Sequence, residues 1–109
     1  MSARTPAEIL REAKRLIEEK GWCQGADAID RRGRPVLARS GDAASFCIAG
    51  ALFAASFAEH GEEQAIKLFR HCIPETLSLA QWNDEPLRTP EQVLAAFDRA
   101  IALAEADRP

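Results

Sequence analysis

The sequence predicts a mainly α protein: a compact bundle of about four helices around a central apolar helix over residues 42–60, with a short β-hairpin over 25–38 between the first and second helices. Two amphipathic segments open with the same Thr-Pro capping chemistry. A charge-free run lies between them, and glycine and proline mark a turn where helical periodicity lapses.

Thr5 is suited to cap the first helix, Pro6 to occupy its first position, and Glu8, three residues after the cap, to complete a capping box; Gly21 supplies the stop. Ile9, Leu10, Ala13, Leu16 and Ile17 form one apolar stripe, leaving Arg11, Glu12, Arg15, Glu18 and Glu19 to water. From Trp22 to Arg39 this spacing is lost. Asp30-Arg31-Arg32-Gly33, then Arg34-Pro35, is turn chemistry between two short β-like runs, 25–29 and 35–38. An isolated two-stranded hairpin is marginal, so it must lie against the helices.

The second helix is expected from Asp42, as N-cap, to Gly61, as stop, with no charge from Ala43 to Ala58. Helical spacing gathers Phe46, Phe53 and Phe57 as bulky knobs and Cys47, Gly50, Ala51, Ala54 and Ala58 as a face of small residues, which invites close approach by another backbone or a ligand. The run is too short and too alanine-rich for a membrane span, so no membrane association is expected. A third helix over 62–72 turns Ala65, Ile66, Leu68, Phe69 and Cys72 inward and is closed by Pro74. Residues 77–86 hold one helical turn and a bend at Asn83-Asp84. The last helix opens at Thr89, Pro90 and Gln92, a second capping box, and buries Val93, Leu94, Phe97, Ala100, Ile101 and Ala104.

The 109 residues, 47% hydrophobic and 28% charged, read as a single helical domain, 1–109. The net charge of -3 disfavours nucleic acid as a partner. Basic residues nevertheless concentrate locally at Arg31, Arg32, Arg34 and Arg39. The opening residues lack the basic-then-apolar pattern of a secretory signal, and Cys23, Cys47 and Cys72 are an odd set, so the expectation is a cytoplasmic protein with free thiols.

The segments FCIAGAL (46–52), RRGRPV (31–36) and QWNDEPLRTPEQVLAAFDRAI (81–101) resemble a bacterial and phage domain family of unknown function over nearly the whole chain. The resemblance implies the order helix, Trp-containing turn, Cys-x-x-Gly-Ala helix, Trp-Asn-Asp turn and Thr-led final helix. It places the signature at Cys47, Gly50, Ala51, Trp82, Asn83, Asp84 and Thr89, and implies no activity or cofactor.

Cys47 is a candidate nucleophile if it sits at a helix N-terminus, where the dipole favours thiolate. Ser45 as cap would put it there, whereas Asp42, the favoured cap, leaves it in the second turn as a packed thiol. The histidines, His60 and His71, come with no motif that would bring a base to it. No Cys-x-x-Cys pair, Walker loop, GxGxxG, HExxH or EF-hand occurs, so neither a metal nor a cofactor is expected. Trp82-Asn83-Asp84 reads either as a small binding surface on a turn or as a loop anchor whose polar groups bond to backbone. Arg32 and its neighbours suit phosphates or an acidic partner, or are a solvated hairpin tip.

These readings converge on a small interaction or regulatory module without an evident catalytic constellation, and lean against an enzyme. Its candidate binding residues are Trp82, Asn83, Asp84, Cys47 and Arg32. The alternative is a small-molecule-binding protein or thiol enzyme using Cys47 near the Trp82-Asn83-Asp84 turn. An unidentified protein partner, or a symmetric homodimer through an exposed apolar strip of the third or last helix, fits the first reading.

Overall fold

A computed structural model describes residues 4–56 and 61–106. In order, it contains α1 (Pro6–Lys20), β1 (Ala28–Ile29), β2 (Pro35–Val36), β3 (Ser45–Phe46), α2 (Ile48–Ala55), α3 (Glu62–Arg70), α4 (Leu79–Asn83) and α5 (Pro90–Ala106). The mainly α class holds, with a small sheet added.

α1 begins as its sequence dictates. The Glu8 amide donates to the Thr5 hydroxyl at 3.2 Å, and the Thr5 amide donates back to the Glu8 carboxylate at 2.8 Å. Both donors would otherwise be orphans of the first turn, and such a cap is worth about 1 kcal/mol. The buried stripe of Ile9, Leu10, Ala13 and Ile17 meets Ile48, Ala51 and Leu52 of α2, Phe69 of α3, and Val93, Phe97 and Ala100 of α5 in one core. α5 runs antiparallel to α1, and Arg11–Glu105 and Lys14–Asp98 ion pairs, each 2.7 Å, tie the two along their exposed edges. Phe69 lies edge-on to both Phe97 (centroids 4.9 Å) and Trp82 (6.0 Å), the arrangement that ring quadrupoles favour.

The hairpin predicted within 25–38 is present as β1 and β2, with Ala28 opposite Val36 and Ile29 opposite Pro35. Gly33 takes φ 79° at its turn, a conformation that side chains with a Cβ resist. Asp30 holds the turn closed: its carboxylate accepts the Arg32 and Arg34 amides, both at 2.9 Å, and the Arg34 guanidinium at 2.9 Å.

The central helix differs from the expected 42–60. Residues 45–46 form β3, which pairs antiparallel with the other edge of β1 and gives the strand order β2-β1-β3. The physical reason is non-local. A lone hairpin leaves one edge of β1 open, and the 44–47 segment covers it, with Ala44 donating to the Ile29 carbonyl at 2.8 Å and Cys47 to the Asp27 carbonyl at 3.0 Å; Phe46 bonds on its other side to the segment after α1, donating to Gly21 at 3.0 Å and accepting from Cys23 at 3.0 Å. Asp42, expected as the N-cap, instead lies in an exposed turn with its amide on the Ser40 hydroxyl at 3.1 Å. The cap is Cys47, and α2 has eight residues. Ser56 leaves the helix in extended conformation, and Gly61, expected as the stop, is the N-cap of α3. Of the expected phenylalanine knobs, Phe46 is a buried strand residue and Phe53 is 41% exposed. Phe57, Ala58 and His60 lie outside the described residues.

Among the described residues no helix is long and apolar enough to cross a membrane.

Candidate functional site

The sequence-predicted residues fall into two places. Asn83 and its neighbour Asp84 gather with Cys47 around the start of α2, Trp82 packs into the core against Phe69, and Arg32 stands apart on the hairpin.

Asn83, the last residue of α4, is 1% exposed and uses its whole side chain. Its Oδ1 accepts the Trp22 indole N–H at 2.7 Å and the Ile48 amide at 3.1 Å. Its Nδ2 donates to the Cys23 carbonyl at 3.1 Å and to Asp84 Oδ1 at 2.8 Å. The indole and the amide are donors only, so the oxygen must face them; that fixes the orientation of the amide. Asp84 Oδ1 also accepts the Gly25 amide at 3.0 Å, and Gln24 Nε2 donates to the carbonyls of Asn83 (2.9 Å) and Glu85 (2.8 Å). The Trp-Asn-Asp run thereby clamps the 22–25 segment against the N-terminus of α2, and Asn83 supplies one of that helix's orphan amides with an acceptor.

Trp82 is buried. Arg88 stacks its guanidinium 3.7 Å from the indole centroid and donates to the Trp82 carbonyl at 3.0 Å. The indole also packs T-shaped with Phe69 and is only 6% exposed, so the ring presents little surface to a partner.

Cys47 does sit at a helix N-terminus, because α2 starts after β3, and its Sγ accepts the Gly50 amide at 3.3 Å. Burial wins over the dipole. It pushes the thiol up to about 11, Asp27 and Cys23 add to the rise, and the Gly50 and Ala49 amides oppose it only in part. Asp27 also explains the small face of α2. A Cβ on Gly50 would lie 1.9 Å from the Asp27 carbonyl oxygen, so what approaches this face is the backbone leading into β1. His71 is at the end of α3 in a different surface concavity with Lys67 and Arg70. The described residues bring no three of His, Cys, Asp and Glu into a metal-holding group.

Arg32 belongs to the second place, an open groove of about 720 Å³ between the end of α1, the hairpin turn and the 41–44 loop. The structure sorts the arginine cluster there. Arg34 is held by Asp30, and Arg39 is drawn away to α2, where it donates to the carbonyls of Phe53 (3.2 and 3.1 Å) and Ser56 (2.9 Å) and stacks on the Phe53 ring at 3.9 Å. Arg31 and Arg32 remain, exposed, and Lys20 lines the same groove from the end of α1. None of these three forms an ion pair among the described residues. Of the acids lining the groove, Glu19 pairs with Arg15 and Asp30 with Arg34, leaving Asp42. Sequence reasoning missed Lys20 because it looks like any exposed helix-terminal lysine; only the tertiary arrangement brings it to the same groove as Arg31 and Arg32.

No curated protein and no solved structure matches the chain. Residues 1–103 match the profile described as "Family of unknown function (DUF6197)", and over that length the chain belongs to the DUF6197 family.

Proposed function

We propose that the chain is a small, single-domain, cytoplasmic interaction module that docks an acidic protein segment in the groove between α1 and the hairpin. One observation carries this: Lys20, Arg31 and Arg32 line one groove and form no ion pair among the described residues, while Arg34 and Arg39 are engaged in the fold. Exposed cations gain from meeting a complementary anionic surface, chiefly in on-rate and register. The free thiols Cys23, Cys47 and Cys72 support the cytoplasmic setting.

A ligand site at Cys47 is the weaker reading. Asn83 spends its hydrogen-bonding capacity on the fold, and Asp27 already fills the small face of α2. The thiol is buried and raised, the reverse of what a thiolate nucleophile requires.

The test is a titration of the isotopically labelled chain with a glutamate-rich hexapeptide at low salt, followed by amide chemical shifts. The expected shifts centre on Lys20, residues 30–34 and residues 41–44, and vanish in Arg31→Ala/Arg32→Ala. Shifts scattered over the whole surface, or undiminished in that variant, would sink the proposal.

A further inference from the structure

Resting on the groove as the docking surface, we infer that its ligand is a phosphoryl group carried on a protein segment with neutral or basic flanks. The groove brings cations from separate elements to one place: Lys20 from the end of α1, and Arg31 and Arg32 from the β1–β2 turn. A carboxylate carries one charge and two oxygens, which a single guanidinium satisfies side by side. A phosphoryl group near neutral pH carries about 1.5 to 2 charges on three strong acceptor oxygens, and it rewards several converging donors. The arginines supply planar forks, and the lysine supplies a point charge from the end of α1.

The turn that presents the arginines is formed in advance. Asp30 accepts the Arg32 and Arg34 amides, both at 2.9 Å, and Gly33 adopts φ 79°, so the backbone needs no ordering when ligand arrives. The remaining lining argues for the flanks. Asp42 shares the groove with the cations, beside Glu19 and Asp30, whose charges are already met by Arg15 and Arg34. A nucleic-acid strand would press a continuous run of phosphates against these acids, and the chain as a whole carries -3. One compact dianion with basic or neutral neighbours meets the cations without that repulsion. At about 720 Å³ the groove is larger than a phosphate ion and accommodates residues on either side of the modified one.

The experiment titrates the full chain with three synthetic pentapeptides of sequence Lys-Gly-X-Gly-Lys, where X is phosphoserine, glutamate or serine, and separately with inorganic phosphate. Amide shifts report the place and the affinity. The expected result is binding of the phosphoserine peptide at Lys20, Arg31, Arg32 and residues 41–44, about tenfold or more tighter than the glutamate peptide. It is lost in Arg31→Ala/Arg32→Ala and kept in Arg70→Ala, a charge removal on α3. Equal affinity of the phosphoserine and glutamate peptides overturns the phosphoryl inference while leaving acidic docking in place. Phosphate alone binding as tightly as the phosphopeptide overturns the protein segment as carrier. If no phosphopeptide, glutamate pentapeptide or glutamate-rich hexapeptide perturbs the groove, the docking proposal falls with it.

Discussion

The side-chain oxygen of Asn83 accepts the backbone amide of Ile48 at 3.1 Å, across 35 residues of sequence. The first helical residue of α2 thus has its N–H satisfied by the last residue of α4. The same oxygen holds Trp22 at 2.7 Å, so one amide joins three separate segments of the chain.

Asn83→Ala removes both acceptor and donor. It leaves the Ile48 amide, the Trp22 indole N–H and the Cys23 carbonyl without their partner, in a position only 1% exposed. Leaving buried polar groups unsatisfied costs about 1–3 kcal/mol apiece where water cannot enter. The half-buried Trp22 indole regains water, so the expected loss is about 2–4 kcal/mol in urea unfolding, with Trp22 fluorescence shifted by loss of its hydrogen bond. A change below about 1 kcal/mol would show that water replaces the amide at little cost.

Gly50→Ala tests the contact between α2 and the backbone before β1. In an open helix the change would stabilise by about 1 kcal/mol, because alanine is the better helix former. Here the new Cβ would lie 1.9 Å from the Asp27 carbonyl oxygen and 2.7 Å from its carbonyl carbon. Backbone must move, and the Cys47 amide that donates to that same oxygen at 3.0 Å moves with it. The expected sign is therefore reversed, to a loss of about 2 kcal/mol or more, read from thermal or urea midpoints.

The elements legible in the sequence are those whose signals are local. Thr5 and Glu8, and Thr89 and Gln92, make their reciprocal bonds within one turn, so the starts of α1 and α5 are correctly placed. Asp30 and Gly33 likewise declare the hairpin turn. What decides the start of α2 is distant: Phe46 pairs with Ala28 and bonds to Gly21 and Cys23, and nothing in 42–46 announces those partners. The Trp22–Asn83 bond spans 61 residues and leaves no spacing to read. In the candidate groove, Arg32 was visible as part of a cluster. That Arg39 would leave it for the end of α2, and Lys20 would join it, depends on the tertiary arrangement.

Cys47 makes a prediction about alkaline pH. Its thiol ordinarily titrates at 9.0 and is pushed up to about 11 by burial. Below pH 9 it is protonated folded and unfolded, and contributes no pH dependence. Between pH 9 and about 11 the unfolded chain loses this proton while the folded one keeps it, so the unfolded state binds fewer protons and stability falls as pH rises. Two pH units correspond to at most about 2–3 kcal/mol. Urea unfolding across this range, compared with Cys47→Ser, isolates the contribution: the wild-type curve should fall more steeply. Native thiol labelling at pH 8 should reach half-buried Cys72 before Cys47.

Arg32 and Arg39 stand seven positions apart in the sequence, and only the loss of Arg39 should weaken the fold. The Arg39 guanidinium supplies donors to the Phe53 and Ser56 carbonyls at the end of α2, a helix without a basic residue in its last turn, and covers the half-exposed Phe53 ring. Arg39→Ala takes those bonds and the stacking together, an expected cost of about 1–2 kcal/mol, discounted for its exposure. Among the described residues the Arg32 side chain has no hydrogen-bond or ion-pair partner; its backbone amide binds Asp30, and alanine preserves that bond. Arg31→Ala/Arg32→Ala should leave stability within about 0.5 kcal/mol of wild type, as an unpartnered surface charge does. Urea denaturation of both variants checks the contrast. A destabilised Arg31→Ala/Arg32→Ala would mean that these charges serve the fold and are not held in reserve for a ligand.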